Sequence, residues 1–131
     1  MVKSKTIVTC AVTGASLTPS MSSALPVTGK EVAEQSIGAN RAGAAIIHLH
    51  ARNPDGSPTN AIDAWKEFVP EIRAETDAII NMSASHGSTA EDRLEAVLAL
   101  RPDIATVIVG SMNYGLFRKA ENQGVSTFNT E

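Results

Sequence analysis

Four short apolar runs rich in β-branched residues recur along this chain, with helix-forming stretches between them. They are Ile7-Val8-Thr9-Cys10-Ala11-Val12, Ala45 to His50, Ala78-Ile79-Ile80-Asn81-Met82 and Ala105-Thr106-Val107-Ile108-Val109. Runs of that length and composition read as buried strands. A spacing of about thirty residues leaves room for a right-handed helical crossover between parallel strands. The pattern is therefore βαβαβαβ. Two architectures fit it: an open doubly wound sheet, or half of an eight-stranded α/β barrel.

The intervening segments support helices. Thr28-Gly29-Lys30-Glu31 has the form of a capping box, and the helix it opens, with Ala33, Gly38, Ala39 and Ala42, runs to Gly43. Ile62, Trp65, Val69 and Ile72 lie at spacings of three, four and three, one apolar stripe of a second helix. Ser88-Thr89-Ala90-Glu91 is a second capping signature, followed by Leu94, Val97 and Leu98, and Pro102 stops that helix. Thr13 to Pro26 reads as a long Ser/Thr/Gly/Pro-rich loop, and long loops in compact domains are often functional. From Gly110 no clear helix is expected, and Glu121 to Glu131 is polar.

In either architecture, ligands bind at the carboxyl ends of the strands. Polar residues gather there: Thr13 and Ser16, His48 to Arg52, Ser83 to His86, and Ser111 to Asn113. His48 and His50 project from one face of a strand, because side chains alternate with a period of two. Two imidazoles so placed can share a metal ion, with coordination positions left over. The competing reading is a half-buried pair hydrogen-bonded in a core. Convergence of four strand ends favours the metal.

Other readings are excluded or weakened. Neither G-x-G-x-x-G nor a P-loop follows the first strand, which removes support for nucleotide-binding sheets. A net charge of −3 with no basic cluster argues against a nucleic-acid partner. Cys10 is the single cysteine, so no disulfide framework is expected. With 43 % hydrophobic and 19 % charged residues, no leader-like opening and no membrane-length apolar run, a single cytoplasmic globular domain is the expectation.

Several blocks carry a family resemblance. They are Thr9 to Ala15, Thr18-Pro19-Ser20, Leu25 to Thr28, Ala42 to Arg52, Arg93-Leu94 with Leu100-Arg101-Pro102, and Gly110 to Gly115. In that order they resemble the β-keto acid cleavage enzymes. The resemblance implies a full (β/α)8 barrel, of which residues 1–131 would be the N-terminal half, in a homo-oligomer. It also implies acyl transfer between a β-keto acid and acetyl-CoA, giving acetoacetate and a new CoA ester. His48 and His50 match two zinc ligands; Zn2+ would polarise the substrate keto group. Ser83 and Thr106 match substrate-holding positions, and the Ser83–Gly87 loop offers backbone amides to a carboxylate. Arg52 is read as orienting the site or binding a substrate carboxylate, or alternatively as a structural ion pair. His86 matches no family position; it reads as an exposed loop histidine or, alternatively, a substrate contact.

Departures from the family qualify this. Ser16 stands where the 3-keto-5-aminohexanoate-cleaving type has a glutamate, and Ile108 where it has an asparagine. A less cationic or more apolar β-keto acid is therefore expected. The third, acidic zinc ligand, the catalytic base and arginine, and most of the CoA site would lie in the other half. The chain is thus expected to be a truncated product, a proteolytic piece or one half of a split barrel, inactive or weak alone. A half-barrel subunit working with a partner chain, or another zinc-dependent barrel enzyme such as a class II-type aldolase or an isomerase, are the alternatives.

Overall fold

A computed structural model describes residues 4–108. The chain runs β1 (Thr9–Ala11), α1 (Gly29–Arg41), β2 (Ile46–Leu49), β3 (Ala51–Arg52), β4 (Pro58–Thr59), α2 (Ile62–Lys66), α3 (Val69–Glu75), β5 (Ile79–Ser83), α4 (Ala90–Leu100) and β6 (Ile104–Thr106). The expected features at Ser111–Asn113, Gly110–Gly115 and the polar tail lie outside the described residues.

β1, β2, β5 and β6 form one parallel sheet in that spatial order, and β3 and β4 pair as a small antiparallel ribbon. Spatial order equals chain order among the described residues. A doubly wound sheet reverses its strand order at a switch point. No such reversal occurs here.

Successive crossovers of one hand then place the helices on one side. Ile47 and Leu49 of β2 and Ile80 and Met82 of β5 form that side. They join Val32 and Ala33 of α1, Trp65 of α2, Val69 and Ile72 of α3 and Ala96 of α4 in a single buried core. The alternate residues, among them His48, Asn81, Ser83 and Thr106, occupy the other side. There Ile79 is 41 % and Ile104 39 % exposed.

The first strand is shorter and less buried than its composition suggests. Ile7 is 71 % and Val8 51 % exposed. β1 ends the sheet and has only β2 as neighbour, so β propensity there is not matched by burial. The fourth strand begins one residue early and ends at Thr106, not Val109.

The apolar stripe from Ile62 to Ile72 is real but belongs to two helices. Pro70 has no amide hydrogen for the carbonyl of Lys66, and its ring collides with that carbonyl. α2 accordingly stops at Lys66 and α3 starts at Val69 with Pro70 in its first turn. Trp65, Val69 and Ile72 remain buried across the break.

The capping box at α1 is formed as expected. Glu31 N donates to Thr28 Oγ1 at 3.2 Å, and Thr28 N donates to Glu31 Oε2 at 2.9 Å. These backbone bonds hold the Glu31 carboxyl below its ordinary pKa. Thr28→Ala is expected to cost about 1 kcal/mol, read as a lower urea midpoint; an unchanged midpoint would show that the cap is dispensable. At α4 the box is shifted by one residue: Thr89 is reciprocated by Asp92, not by Glu91. Asn60 fixes that helix start further, donating to the carbonyls of Asp92 and Arg93 while accepting from Trp65 Nε1. α4 ends on Arg101 in the left-handed region, φ +47°. Pro102 follows, and a residue before proline is disfavoured from continuing a helix. No described helix is long and apolar enough to cross a membrane.

Candidate functional site

All four parallel strands deliver residues to one cavity of about 510 Å3 at their carboxyl ends. The segment after β1 supplies Ala15 and Ser16, and the end of β2 supplies His48 and His50. Ser83, Ser85, His86, Gly87 and Ser88 line it from β5 and its loop, and Thr106 and Ile108 from β6. Parallel strands in register bring these ends level, which is why residues far apart in sequence meet here.

His48 and His50 are half-buried, with Nε2 atoms 3.1 Å apart and rings edge to face at 79°. Two imidazole nitrogens on one tetrahedral zinc, each about 2.0–2.1 Å from it, stand about 3.3 Å apart. The pair therefore fits two positions around one ion as well as it fits a hydrogen bond. Among the described residues no cluster of three or more His, Cys, Asp or Glu is close enough to hold a metal. The pair would supply two ligands and no more from this region.

Burial pushes His50 down to about 4, and the nearby His48, Arg52 and His86 add to the shift. The His50 ring is therefore uncharged at neutral pH. In the unfolded chain a histidine takes its proton near 6.5. Between about 4 and 6.5 the unfolded state thus binds more protons, so stability falls as pH falls through that window and is full above it. In metal-free protein the urea midpoint is expected to drop from pH 7.5 to pH 5, and His50→Gln to drop less. Equal drops in both proteins would remove His50 as the cause.

Arg52 does something the sequence did not disclose. It is 6 % exposed and is not among the cavity-lining residues. Its Nε donates to Thr13 Oγ1 at 2.6 Å, Nη1 to the Gly56 carbonyl at 2.6 Å, and Nη2 to the carbonyls of Thr13 and Gly14 at 3.3 and 2.8 Å. None of these partners is a carboxylate, so neither the substrate-carboxylate contact nor the structural ion pair is formed among the described residues, and the orienting reading is the one these bonds agree with. Arg52 instead ties the β1–α1 loop to the β3–β4 turn, and Ala15 and Ser16 follow directly on the clamped Thr13-Gly14.

The other expected residues divide clearly. Ser16, Ser83, Gly87 and Thr106 line the cavity, as do Ile108 and His86. Ser83 is buried and shares a 2.7 Å hydrogen bond with Ser85. Thr106 donates to Asn81 Oδ1 at 2.9 Å. Gly87 has φ +133°, and a Cβ there would lie 3.0 Å from Arg93 Cγ and Asp92 Cβ. The turn passes α4 too closely for a side chain. Ser85 was expected at this end within the run Ser83 to His86 but with no role of its own, and Ser88 was read only as part of a helix cap; for Ser85 the signal was its spacing of two from Ser83.

Comparison with known proteins agrees in extent with this picture. The profile of the beta-keto acid cleavage enzyme family matches residues 5–130. A 3,5-dioxohexanoate:acetyl-CoA acetone transferase from Paraburkholderia graminis is 47 % identical over 122 residues, covering 91 % of this chain and 39 % of the relative. A 3-dehydrocarnitine:acetyl-CoA trimethylamine transferase from Rhizobium meliloti is 36 % identical, with 83 % and 44 % covered. A 3-keto-5-aminohexanoate cleavage enzyme from Acetoanaerobium sticklandii is 38 % identical, with 90 % and 45 % covered. The chain spans about two fifths of the length of these relatives.

Proposed function

The chain belongs to the β-keto acid cleavage enzyme family, and on that premise we propose that it carries the metal and acyl-substrate part of a β-keto acid:acetyl-CoA acyltransferase. The observation that carries this reading is that the matched stretch, residues 5–130, contains every residue lining the cavity. The reaction exchanges acyl groups: R–CO–CH2–COO− and acetyl-CoA give acetoacetate and R–CO–CoA. It is proposed for the assembly of this chain with the region corresponding to the rest of its relatives, as one polypeptide or two. A (β/α)8 barrel is the proposed frame. The chain-order parallel sheet, with helices on one side and Ile79 and Ile104 exposed on the other, supports it. A homo-oligomer and a cytoplasmic location belong to the same proposal.

Within this reading His48 and His50 hold Zn2+. When bound, the ion supplies Lewis acidity to a keto oxygen. Ser83, presented at the strand end and oriented by Ser85, donates to the substrate carboxylate beside the backbone of the Gly87 turn. Arg52 sets the β1 loop so that Ser16 faces the acyl tail.

The substrate tail is proposed to be uncharged. No aspartate or glutamate lines the cavity among the described residues, so a cationic tail finds no counter-charge. The 47 % relative is named for 3,5-dioxohexanoate, whose tail bears a keto group and no ammonium. The test is to incubate the assembled enzyme with acetyl-CoA and a set of β-keto acids, and to follow acetoacetate and new acyl-CoA by mass spectrometry. A kcat/KM at least about tenfold higher for 3,5-dioxohexanoate than for 3-keto-5-aminohexanoate is expected, one hydrogen-bond or charge mismatch being worth that much. Preference for the amino acid substrate would sink the uncharged-tail reading. Absence of turnover with every β-keto acid would sink the acyltransferase itself.

A further inference from the structure

Among the described residues His86 is the histidine lining the cavity that neither the metal nor the carboxylate assignment uses. It lies on the β5–α4 loop, half-buried. It does not complete a three-ligand cluster with His48 and His50. Among the described residues no group is hydrogen-bonded to its ring, although its neighbours Ser83, Ser85 and Gly87 are all engaged.

The turn that carries it is held in place. Arg93 Nε donates to the Gly87 carbonyl at 2.9 Å and Arg93 Nη1 reaches the Ile108 carbonyl at 3.4 Å. One guanidinium thus joins the loop after β5 to the segment after β6, and the closeness of Gly87 to Asp92 and Arg93 leaves the turn no slack. A polar ring on a braced wall, without a hydrogen-bond partner among the described residues, is arranged to meet a ligand.

We propose that His86 is a specificity-determining residue whose imidazole hydrogen-bonds an uncharged oxygen, carbonyl or hydroxyl, on the acyl tail of the substrate. This rests on the acyltransferase reading above, in which the keto group meets the histidine pair and the carboxylate meets Ser83 and the Gly87 turn, leaving the tail for His86. Burial first, and the charge of Arg93 second, push the imidazole pKa down. A neutral ring offers one donor and one acceptor, suited to an oxygen that either accepts or donates. The same arginine opposes an ammonium group at that wall.

The test uses the assembled, zinc-loaded enzyme with three substrates: 3-oxohexanoate, 3,5-dioxohexanoate and 3-oxoadipate. His86→Ala is expected to lower kcat/KM for 3,5-dioxohexanoate about tenfold while changing 3-oxohexanoate less than about twofold, the loss of one hydrogen bond. His86→Gln, which keeps a donor and an acceptor, should recover most of the loss. Equal losses on all substrates, or none, would overturn the proposal. A loss confined to 3-oxoadipate would overturn it too, because it would make His86 a partner for charge. If the wild-type enzyme turns over no β-keto acid, the acyltransferase reading fails separately. Calorimetric binding of 3,5-dioxohexanoate and 3-oxohexanoate to wild type and His86→Ala then decides the His86 contact: weaker binding of the dioxo acid alone supports it, and unchanged or equally weakened binding rejects it.

Discussion

Arg52→Met is expected to destabilise the protein by about 3–5 kcal/mol, the range for removing one partner from a buried, charge-assisted network. Methionine preserves much of the aliphatic length, so the loss reports the guanidinium. Its removal strands Thr13 Oγ1 and the carbonyls of Thr13, Gly14 and Gly56, which were desolvated on the understanding that an arginine would meet them. Arg52→Lys should recover only a minor part, since one ammonium cannot reproduce a planar fork that reaches two separate loops. Urea denaturation gives the number. A change below about 1 kcal/mol, the level of a surface substitution or weak hydrogen bond, would show that water replaces the clamp readily. The functional consequence is local. With the clamp gone, Ala15 and Ser16 lose their anchor, so affinity for the acyl tail should fall while zinc content stays.

An orienting role for Arg52 was legible in the sequence, but its partners were not. An arginine two residues beyond a histidine pair at a strand end looks like a charge for a substrate. Its actual partners are main-chain carbonyls in two loops, and carbonyl positions leave no mark on a sequence. His48 and His50 were legible for the opposite reason: strand periodicity assigns their side and the strand end their depth, whereas Ser83, read as the first residue of a loop, is the last residue of β5. The parallel sheet was legible from its apolar runs, but not the spatial order of its strands. That order depends on which face each helix covers, and helix stripes do not say which face of the sheet they will meet. Pro70 was visible all along; the stripe from Ile62 to Ile72 outweighed it because burial continues through a break that hydrogen bonding cannot cross. At Ile7 and Val8 the error ran the other way. β-branched residues report a preference for extended backbone, and the end position of β1 decides whether anything covers them.

The arrangement divides labour within a small volume. Arg52 and Arg93 stand behind the cavity wall and direct their donors to main-chain carbonyls and, from Arg52 Nε, to the Thr13 hydroxyl. Hydrogen-bonding groups without a carboxylate do the facing: three imidazoles, four serine hydroxyls and a threonine among the described residues. A wall of such donors and acceptors backed by positive charge favours an anionic substrate head, while leaving discrimination to hydrogen bonds at the tail.

The histidine pair carries the second large effect. His48→Ala and His50→Ala are each expected to weaken zinc binding by about 10²–10³-fold, because structural four-ligand sites bind with about 10–16 kcal/mol and one ligand carries roughly a quarter of that. The two losses should be similar in size, since the two Nε2 atoms converge on one point and neither ring has a bond to another described residue through that atom. Ser83→Ala, which changes the same cavity without touching a nitrogen, should leave affinity unchanged within about twofold, as expected for a group outside the coordination sphere and its hydrogen-bonded shell. Competition against a chromophoric chelator at fixed pH reads all three, and elemental analysis gives the stoichiometry. Loss of zinc in both histidine variants alone would make the pair a metal centre. Zinc retained in both would return His48 and His50 to a hydrogen-bonded pair, and the 3.1 Å between them to a proton shared by two rings. The acyl substrate would then need its keto group polarised by some other part of the enzyme, while the carboxylate and tail contacts proposed for Ser83 and His86 would stand on their own tests.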